Sequence, residues 1–302
     1  MTSLQIVTAG GGSVGLGHIR RCLTLAAALR NRDVEIAFHV DGDAALIREA
    51  GFAVEEIDAD GVLFDTYGAR EEHFRACAPR KTIVIDDVAD RTLPVDLVVN
   101  TAPGAARFTY SDARGKLLGA RYALLRPEFA NVPDRNTRDR IERVMVTLGG
   151  NDHGTLASAV VRATLEAAPH ADLEVVVGPF FERVDLLRAL GERVVLLENA
   201  NMREVMLRAD VAVSAGGQTL FELAATGTPA VVVITAENQT HQAHDFAEAG
   251  SVRLGDIATA FAQIREPRVR EEMTRRGRAL VDGRGAERVA SAIVELLRGN
   301  RT

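Results

Sequence analysis

Short apolar runs alternate with amphipathic segments from one end of the chain to the other. In residues 18–30 the apolar side chains recur at helical spacing, and residues 43–51 form a second helical segment that ends at a glycine. The runs between the helical segments are short and rich in Val, Ile and Leu, which is typical of buried strands. In the first half these runs lie at 4–9, 34–40, 62–65, 82–87 and 96–100.

The second half repeats this alternation. Residues 156–168 are helical in spacing, and the apolar runs lie at 143–150, 173–178, 193–198, 209–217 and 228–234. Most runs are continuously apolar rather than strictly alternating, which indicates strands covered on both faces and therefore parallel sheets. The pattern predicts an α/β protein with two doubly wound, Rossmann-like domains.

The boundary between the two domains is expected in the polar, proline-containing stretch 126–140, just before a fresh strand. We therefore predict an N-terminal domain over 1–137 and a C-terminal domain over 138–302. The last helical stretch, 286–299, is long and amphipathic. Whether it packs back on the N-terminal domain is left open by the sequence.

Composition narrows the class of protein. A chain of 302 residues exceeds the usual size of one core, and the net charge of −6 has no compensating basic block, which argues against nucleic acid as the partner. Two cysteines without metal-type spacing favour a reduced, cytoplasmic setting. There is no apolar run long enough to span a membrane and no basic, signal-like N-terminal region.

The first strand runs into a glycine-rich turn with glycines at 10, 11, 12, 15 and 17, followed by His18 at the start of a helix. Such a turn presents backbone amides and the positive end of a helix dipole to an anion or a diphosphate. It does not complete a dinucleotide fingerprint, because His18 stands where the motif would continue. His18 is either a helix-capping side chain or a functional imidazole.

A second strand–glycine–helix junction lies in 209–229. Gly216 and Gly217 turn the chain, and Gln218 and Thr219 open a helix that contains Glu222. The junction suits a phosphate group, to which the Thr219 hydroxyl can donate. Glu222 would repel phosphate but can accept hydrogen bonds from ribose hydroxyls, or it can be an ordinary helix charge.

Other polar residues also follow strands. Asn238 and Gln239 offer amides that suit sugar hydroxyls or phosphate, although plain loop amides look the same. Asp65, with Tyr67 after it, and the pair Asp86 and Asp87 have either a chemical or a turn-forming role. The sequence leaves these carboxylates undecided.

Taken together, these segments resemble the nucleotide-sugar hydrolases of the pseudaminic acid pathway, in the glycosyltransferase-B superfamily. The similar segments follow the family's order and cover most of the chain. They are GLGHIRRCLTLA (15–26), DTYG (65–68), VIDDVADR (84–91), YALLRPEF (122–129), VTLGGND (146–152), SAGGQTLFELAATGTP (214–229) and AENQ (236–239).

The resemblance implies two Rossmann-like domains facing across a cleft, with uridine diphosphate bound by the C-terminal half and the sugar by the N-terminal half. It implies that His18 positions or activates water and that Tyr67 and Asn238 shape the sugar and water site. The expected ligand is a nucleotide-diphosphate sugar, and attack at the anomeric carbon would proceed with inversion, without a metal or another cofactor. The substrate-binding positions it implies are Gly15, Gly17, Gly150, Asn151, Gly216, Gly217, Gln218, Thr219, Glu222 and Gln239.

Two segments depart from the family pattern, VTAGGGSV at 7–14 and TAPGAARF at 101–108. Both fall where the sugar is expected, so the sequence does not fix the sugar. A glycosyltransferase that uses an acceptor other than water is the main alternative, and a non-catalytic nucleotide-sugar binding protein is a third. The base, the acceptor and the oligomeric state are not determined by the sequence.

Overall fold

The computed structural model describes residues 2–11, 16–150, 155–178 and 180–299. Two of the predicted substrate-binding residues, Gly15 and Asn151, lie outside the described residues. The chain divides into two units, each with its own sheet. Unit 1 comprises Met1–Pro127 and Gly283–Thr302, and unit 2 comprises Glu128–Asp282.

The elements alternate along the chain as the hydrophobic pattern predicts. The described strands are β1 (Thr2–Gly10), β2 (Val34–Gly42), β3 (Ala53–Val54), β4 (Gly61–Asp65), β5 (Lys81–Ile85), β6 (Leu97–Asn100), β7 (Gly115–Leu118), β8 (Arg143–Thr147), β9 (Asp172–Val177), β10 (Val194–Glu198), β11 (Val211–Ala215), β12 (Ala230–Val233) and β13 (Val252–Leu254). The described α-helices are α1 (Gly17–Arg30), α2 (Ala45–Glu49), α3 (Glu71–Ala76), α4 (Leu156–Ala167), α5 (Val184–Arg188), α6 (Met202–Arg208), α7 (Thr219–Thr226), α8 (Thr240–Glu248), α9 (Ile257–Ile264), α10 (Pro267–Leu280) and α11 (Gly285–Arg298). None of the helices in these ranges has the length and apolar character needed to cross a membrane.

Unit 1 is built on a seven-stranded sheet in the order β3-β2-β1-β4-β5-β6-β7, and every described strand pair is parallel. Its central strands are buried on both faces, as their continuous apolar runs predict. One face packs under α1 and α11, where Leu25 and Ile293 are fully buried. The doubly wound architecture predicted for this half is confirmed.

Unit 2 is built on a six-stranded sheet in the order β10-β9-β8-β11-β12-β13, again with parallel pairs. Its core is formed by β8, β9 and β11 against α4 and α9, with Val161, Val213 and Phe261 buried. Two doubly wound sheets therefore exist in one chain, and the predicted fold class is confirmed. The sequence does not predict the short outer strands β3, β7 and β13, because β3 has only two residues and Lys116 and Arg253 interrupt the apolar runs of β7 and β13.

The polar stretch after Pro127 is fastened to unit 2 by arginine side chains. Arg138 donates to Asp210 at 2.7 Å, and Asp210 also accepts the backbone amides of Glu142 and Arg143. The buried Arg270 donates to the backbone carbonyl oxygens of Arg138 and Ile264. Unit 2 begins at Glu128, whereas the sequence predicts the boundary after residue 137.

The last helix, α11, belongs to unit 1 and packs against α1. Its first residue, Gly285, lies so close to the backbone of residues 122 and 123 that a Cβ would stand 2.2 Å from the Ala123 carbonyl oxygen. Arg288 and Arg298 donate to the carbonyl oxygens of Arg121 and Arg32. A residue without a side chain is therefore needed where this helix starts.

We expect Gly285→Ala to lower the free energy of unfolding by about 3 kcal/mol, because the clash is with backbone and not with a movable side chain. Urea unfolding followed by circular dichroism measures the change. Gly68→Ala is the matched control in the same unit, since a Cβ there would meet its nearest atom at 3.6 Å. Equal stability of the two variants would contradict the close approach of α11.

Candidate functional site

The first group of functional residues lies where the strand order of unit 1 reverses. β1 and β4 are neighbours in the sheet although two other strands separate them in the chain, and ligands of open α/β sheets bind at such switch points, beyond the carboxyl ends of the strands. The helix after β1 begins at Gly17 and carries His18, and β4 ends at Asp65. The topology thus places the predicted His18 and the undecided Asp65 together.

His18 and Asp65 form a buried pair. The imidazole Nδ1 lies 2.7 Å from Asp65 Oδ1, and the relative exposure of the two residues is 8% and 0%. A carboxylate only accepts hydrogen bonds, so the Nδ1 proton points to Asp65 and Nε2 carries the lone pair of the neutral ring. A neutral imidazole whose tautomer is fixed by an acid in this way has the chemistry of a general base.

Asp65 is held as a carboxylate by Arg21. The guanidinium of Arg21 donates from Nε to Oδ2 at 2.7 Å and from Nη2 to Oδ1 at 2.5 Å, and the Cys22 thiol lies 3.2 Å from Oδ2. Burial pushes the pKa of Asp65 upward, but the charge and hydrogen bonds of Arg21, with His18 beside them, outweigh burial and hold that pKa well below its usual range. Asp65 therefore stays ionised at neutral pH.

The two adjacent acids after β5 have different partners. Asp87 accepts Arg21 Nη1 and Nη2 at 2.9 and 2.8 Å and so belongs to the His18 group. Asp86 accepts the Tyr110 hydroxyl at 2.6 Å and the Ala89 amide at 2.8 Å, which ties the loop after β6 to the loop after β5. Burial raises the pKa of Asp86. Asp86 is therefore a structural acid, and Asp87 is part of the candidate site.

Tyr67 borders the same group. Its ring stands edge-on to the His18 imidazole, with centroids 4.9 Å apart, and its hydroxyl lies 3.4 Å from Asp87 Oδ2. With 38% of its surface exposed, Tyr67 is the one aromatic residue of this group that presents a large face to solvent. Its exposed surface therefore lies beside the imidazole.

The second group lies at the corresponding reversal in unit 2, where β8 and β11 are neighbours. Gly149 and the predicted Gly150 follow β8, while Gly216 and Gly217 follow β11 and lead into α7. A Cβ on Gly216 would crowd Gln239 at 3.0 Å, whereas a Cβ on Gly217 would meet nothing within 4 Å. Nothing described within the chain requires glycine at 217, so the residue leaves space that a ligand can occupy.

Two glutamines brace this turn. Gln239 Oε1 accepts the Gly216 amide, the Thr235 amide and the Thr235 hydroxyl, each at 3.1 Å. Gln242 Nε2 donates to the carbonyl oxygens of Gly216 and Gly217 at 2.8 and 2.9 Å. The predicted substrate contact through Gln239 is therefore restricted to its Nε2 group, because its oxygen is engaged within the turn.

The remaining predicted residues of unit 2 surround the start of α7. Gln218 is the N-terminal cap residue and does not cap the helix with its side chain, Thr219 begins the helix, and Glu222 lies in the first turn. All three are partly exposed, and Asn238 is exposed on a short 3-10 turn at 237–239. Amides at the start of a helix offer hydrogen bonds and a positive dipole end to an anion.

Within the described ranges, no three His, Cys, Asp or Glu side chains are grouped so that they could hold a metal ion. The charged side chains of the unit 1 site instead form hydrogen bonds with one another: Arg21 donates to both Asp65 and Asp87.

The sequence did not single out Arg21 or Gln242. Both stand on helices, where arginine and glutamine are common surface residues, and Arg21 enters the family resemblance only as a part of the GLGHIRRCLTLA segment. The available signal was position: Arg21 lies one turn after His18, so the two side chains share a helix face.

Parts of the chain are similar in sequence to known proteins. Residues 181–262 match the family model described as the glycosyltransferase family 28 C-terminal domain. The spore coat polysaccharide biosynthesis protein SpsG of Bacillus subtilis is 26% identical, with 95% of this chain and 96% of that protein aligned. The uncharacterized protein MJ1062 of Methanocaldococcus jannaschii is 28% identical over 80% of this chain, and the aligned part spans 58% of that protein's length.

Among solved structures, MurG of Acinetobacter baumannii superimposes with a TM-score of 0.73 at 13% sequence identity, covering 98% of this chain and 100% of that chain. The chain therefore has a glycosyltransferase-B fold, as predicted. The match to a glycosyltransferase family model agrees with the prediction of an enzyme.

The depressed pKa of Asp65 predicts a pH-dependent contribution to stability. An acid whose pKa is lowered by folding stabilises the native state above its unfolded pKa of about 4, and that contribution is lost as the pH falls toward the folded pKa. We expect Asp65→Asn to cost about 3 kcal/mol at pH 7, and the gap to wild type to narrow by about 1 kcal/mol by pH 3. Urea unfolding at a series of pH values measures this gap.

For Asp86→Asn, we expect the stability difference from wild type to change with pH in the opposite direction. Burial raises the pKa of Asp86, so the folded protein binds this proton more tightly than the unfolded chain does. This difference stabilises wild type at a pH below the unfolded pKa, and the stabilisation is lost as the pH rises. The gap between wild type and Asp86→Asn should widen toward low pH. Parallel behaviour of both variants would contradict the assignment of Asp65 as the ionised partner.

Proposed function

We propose that this protein is a nucleotide-sugar hydrolase that releases uridine diphosphate from a UDP-linked deoxyamino sugar by inverting attack of water at the anomeric carbon. The observation that carries the proposal is the 2.7 Å contact between His18 and the buried Asp65 at the switch point of unit 1. The family resemblance of the sequence supplies the substrate class, and the family 28 domain match supports a nucleotide-sugar ligand.

His18 acts as the general base. With the Nδ1 proton held by Asp65, the Nε2 lone pair accepts a proton from water as the water oxygen attacks the anomeric carbon. The bond from the anomeric carbon to the phosphate oxygen breaks, and its electrons leave with the diphosphate. Asp65 stabilises the imidazolium that forms and does not take the proton itself, because Arg21 holds its pKa low.

The leaving diphosphate is stabilised by unit 2. The amides at the start of α7 and the open backbone at Gly217 suit a diphosphate, and the Thr219 hydroxyl can donate to one of its oxygens. Glu222, in the first turn, accepts hydrogen bonds from the ribose hydroxyls. Tyr67 and Asn238, both exposed, help shape the sugar and water site.

A glycosyltransferase is the second candidate, and the family 28 match and the shared fold favour it. The same His18–Asp65 pair would then deprotonate an acceptor hydroxyl instead of water. Incubation with a panel of nucleotide sugars, followed by mass spectrometry, separates the two. Free sugar plus nucleotide diphosphate without acceptor supports the hydrolase, and product only after acceptor is added supports the transferase.

A non-catalytic nucleotide-sugar binding protein is the third candidate. A binding protein has no need for a histidine whose tautomer is fixed by a buried acid, so the His18–Asp65 pair argues against it. Binding without product in both arms of the same experiment would support this candidate and refute the first two.

We expect His18→Asn to lower turnover by roughly 10²–10⁴-fold, because asparagine cannot accept the proton of water. Affinity for uridine diphosphate, measured by calorimetry, should change little. His39→Asn is the matched control, since His39 is a half-exposed histidine on β2 of the same unit. Turnover near wild type in the His18 variant would make His18 a helix-capping residue.

Gly217→Val should weaken binding of uridine diphosphate more than tenfold, about 1.4 kcal/mol or more. The fold should tolerate the side chain, because a Cβ at 217 meets nothing within 4 Å. Ala262→Val, at an exposed position on α9, adds similar bulk away from the turn. Unchanged affinity in a folded Gly217 variant would remove the diphosphate from this turn.

A further inference from the structure

Arg21 is held between two carboxylates. Its Nε and Nη2 bond Asp65, and its Nη1 and Nη2 bond Asp87, so that each acid takes two hydrogen bonds from the planar guanidinium. Such paired geometry fits arginine and not lysine. The role of Asp65 follows from His18, but Asp87 does not touch the imidazole through any described hydrogen bond.

The position of Arg21 creates an electrostatic problem for a base at His18. Arg21 Nη2 lies 3.1 Å from His18 Nδ1, and this nitrogen already holds the proton that Asp65 accepts, so the contact brings a cation to the ring without a hydrogen bond. When the imidazole takes a second proton, two positive charges stand side by side. Asp65 alone offsets only one of them.

We propose that Asp87 is a positioning residue that neutralises Arg21, leaving the group with one surplus negative charge that stabilises protonated His18. The proposal rests on the proposed function for its catalytic meaning. Among the described residues, Arg21, Asp65 and Tyr67 contact His18 directly. Cys22 on α1 and Asp87 at the end of β5 join the same group through Asp65 and Arg21. Asp86 is turned toward Tyr110 and Arg91 instead.

The expected size of the effect follows from the distance. Asp87 Oδ2 and His18 Nδ1 contact the same Arg21 nitrogen, at 2.8 and 3.1 Å, so they are within about 6 Å of each other. Asp87 is 24% exposed, and solvent screens part of its charge. Removal of that charge should therefore lower the pH at which His18 becomes protonated by about one unit.

The test is a titration of the imidazole by nuclear magnetic resonance, with the His18 signal identified as the one lost in His18→Asn. In Asp87→Asn the midpoint of the His18 titration should fall by about one pH unit, and in Asp87→Glu, which keeps the charge, it should return toward the wild-type value. Tyr67→Phe keeps every charge and should leave the midpoint within about 0.2 units. Asp87→Ser serves the same purpose if Asp87→Asn is unstable.

Asp58→Asn is the matched control, because it removes one negative charge from an exposed residue. Asp58 precedes the amino end of β4, whereas the site lies at the carboxyl end of that strand. It should leave the midpoint unchanged. A midpoint in Asp87→Asn that stays within about 0.2 units of wild type, or an equal fall in Asp58→Asn, would overturn the proposal.

The titration requires no turnover, so it separates this proposal from the proposed function. If the wild type turns over nucleotide sugar, the pH at which its rate falls on the acid side should move with the midpoint in Asp87→Asn. A shifted midpoint in a protein without turnover would support the role of Asp87 and refute the enzyme. Turnover with an unshifted midpoint would support the enzyme and refute the role of Asp87.

Discussion

A buried carboxylate needs partners, and this requirement organises the candidate site of unit 1. Asp65 ends a central strand with no exposed surface, so its charge must be compensated inside the protein. Arg21 supplies the opposite charge, and His18 and Cys22 complete the hydrogen bonds to the two carboxylate oxygens. The imidazole is therefore oriented by an acid that the fold itself keeps ionised.

Both units use the same topological device for different chemistry. In each, the neighbouring strands β1 and β4, or β8 and β11, end at the point where the strand order reverses. In unit 1 this point holds side chains that can move a proton, whereas in unit 2 it holds glycines and the start of a helix that suit an anion.

The turn of unit 2 shows how a glycine site is made rigid. Gly216 has no room for a side chain beside Gln239, and Gln239 and Gln242 hold the amide of Gly216 and the carbonyl oxygens of both glycines. A Cβ on Gly217 would meet no described atom within 4 Å. A preorganised turn of this kind loses little conformational entropy when it binds a ligand. Rigid sites therefore avoid the free-energy cost of ordering a loop on binding.

The sequence by itself determined the two doubly wound sheets, because buried parallel strands require continuous apolar runs with helices between them. It also placed His18 and Gly216 correctly after strands, since glycine-rich turns are local features. Only the tertiary structure decided that Asp65 pairs with His18 and that Asp87, and not its neighbour Asp86, belongs to the site. Those contacts join residues far apart in the chain, and the direction of two adjacent side chains depends on strand pairing and loop packing that no local pattern encodes.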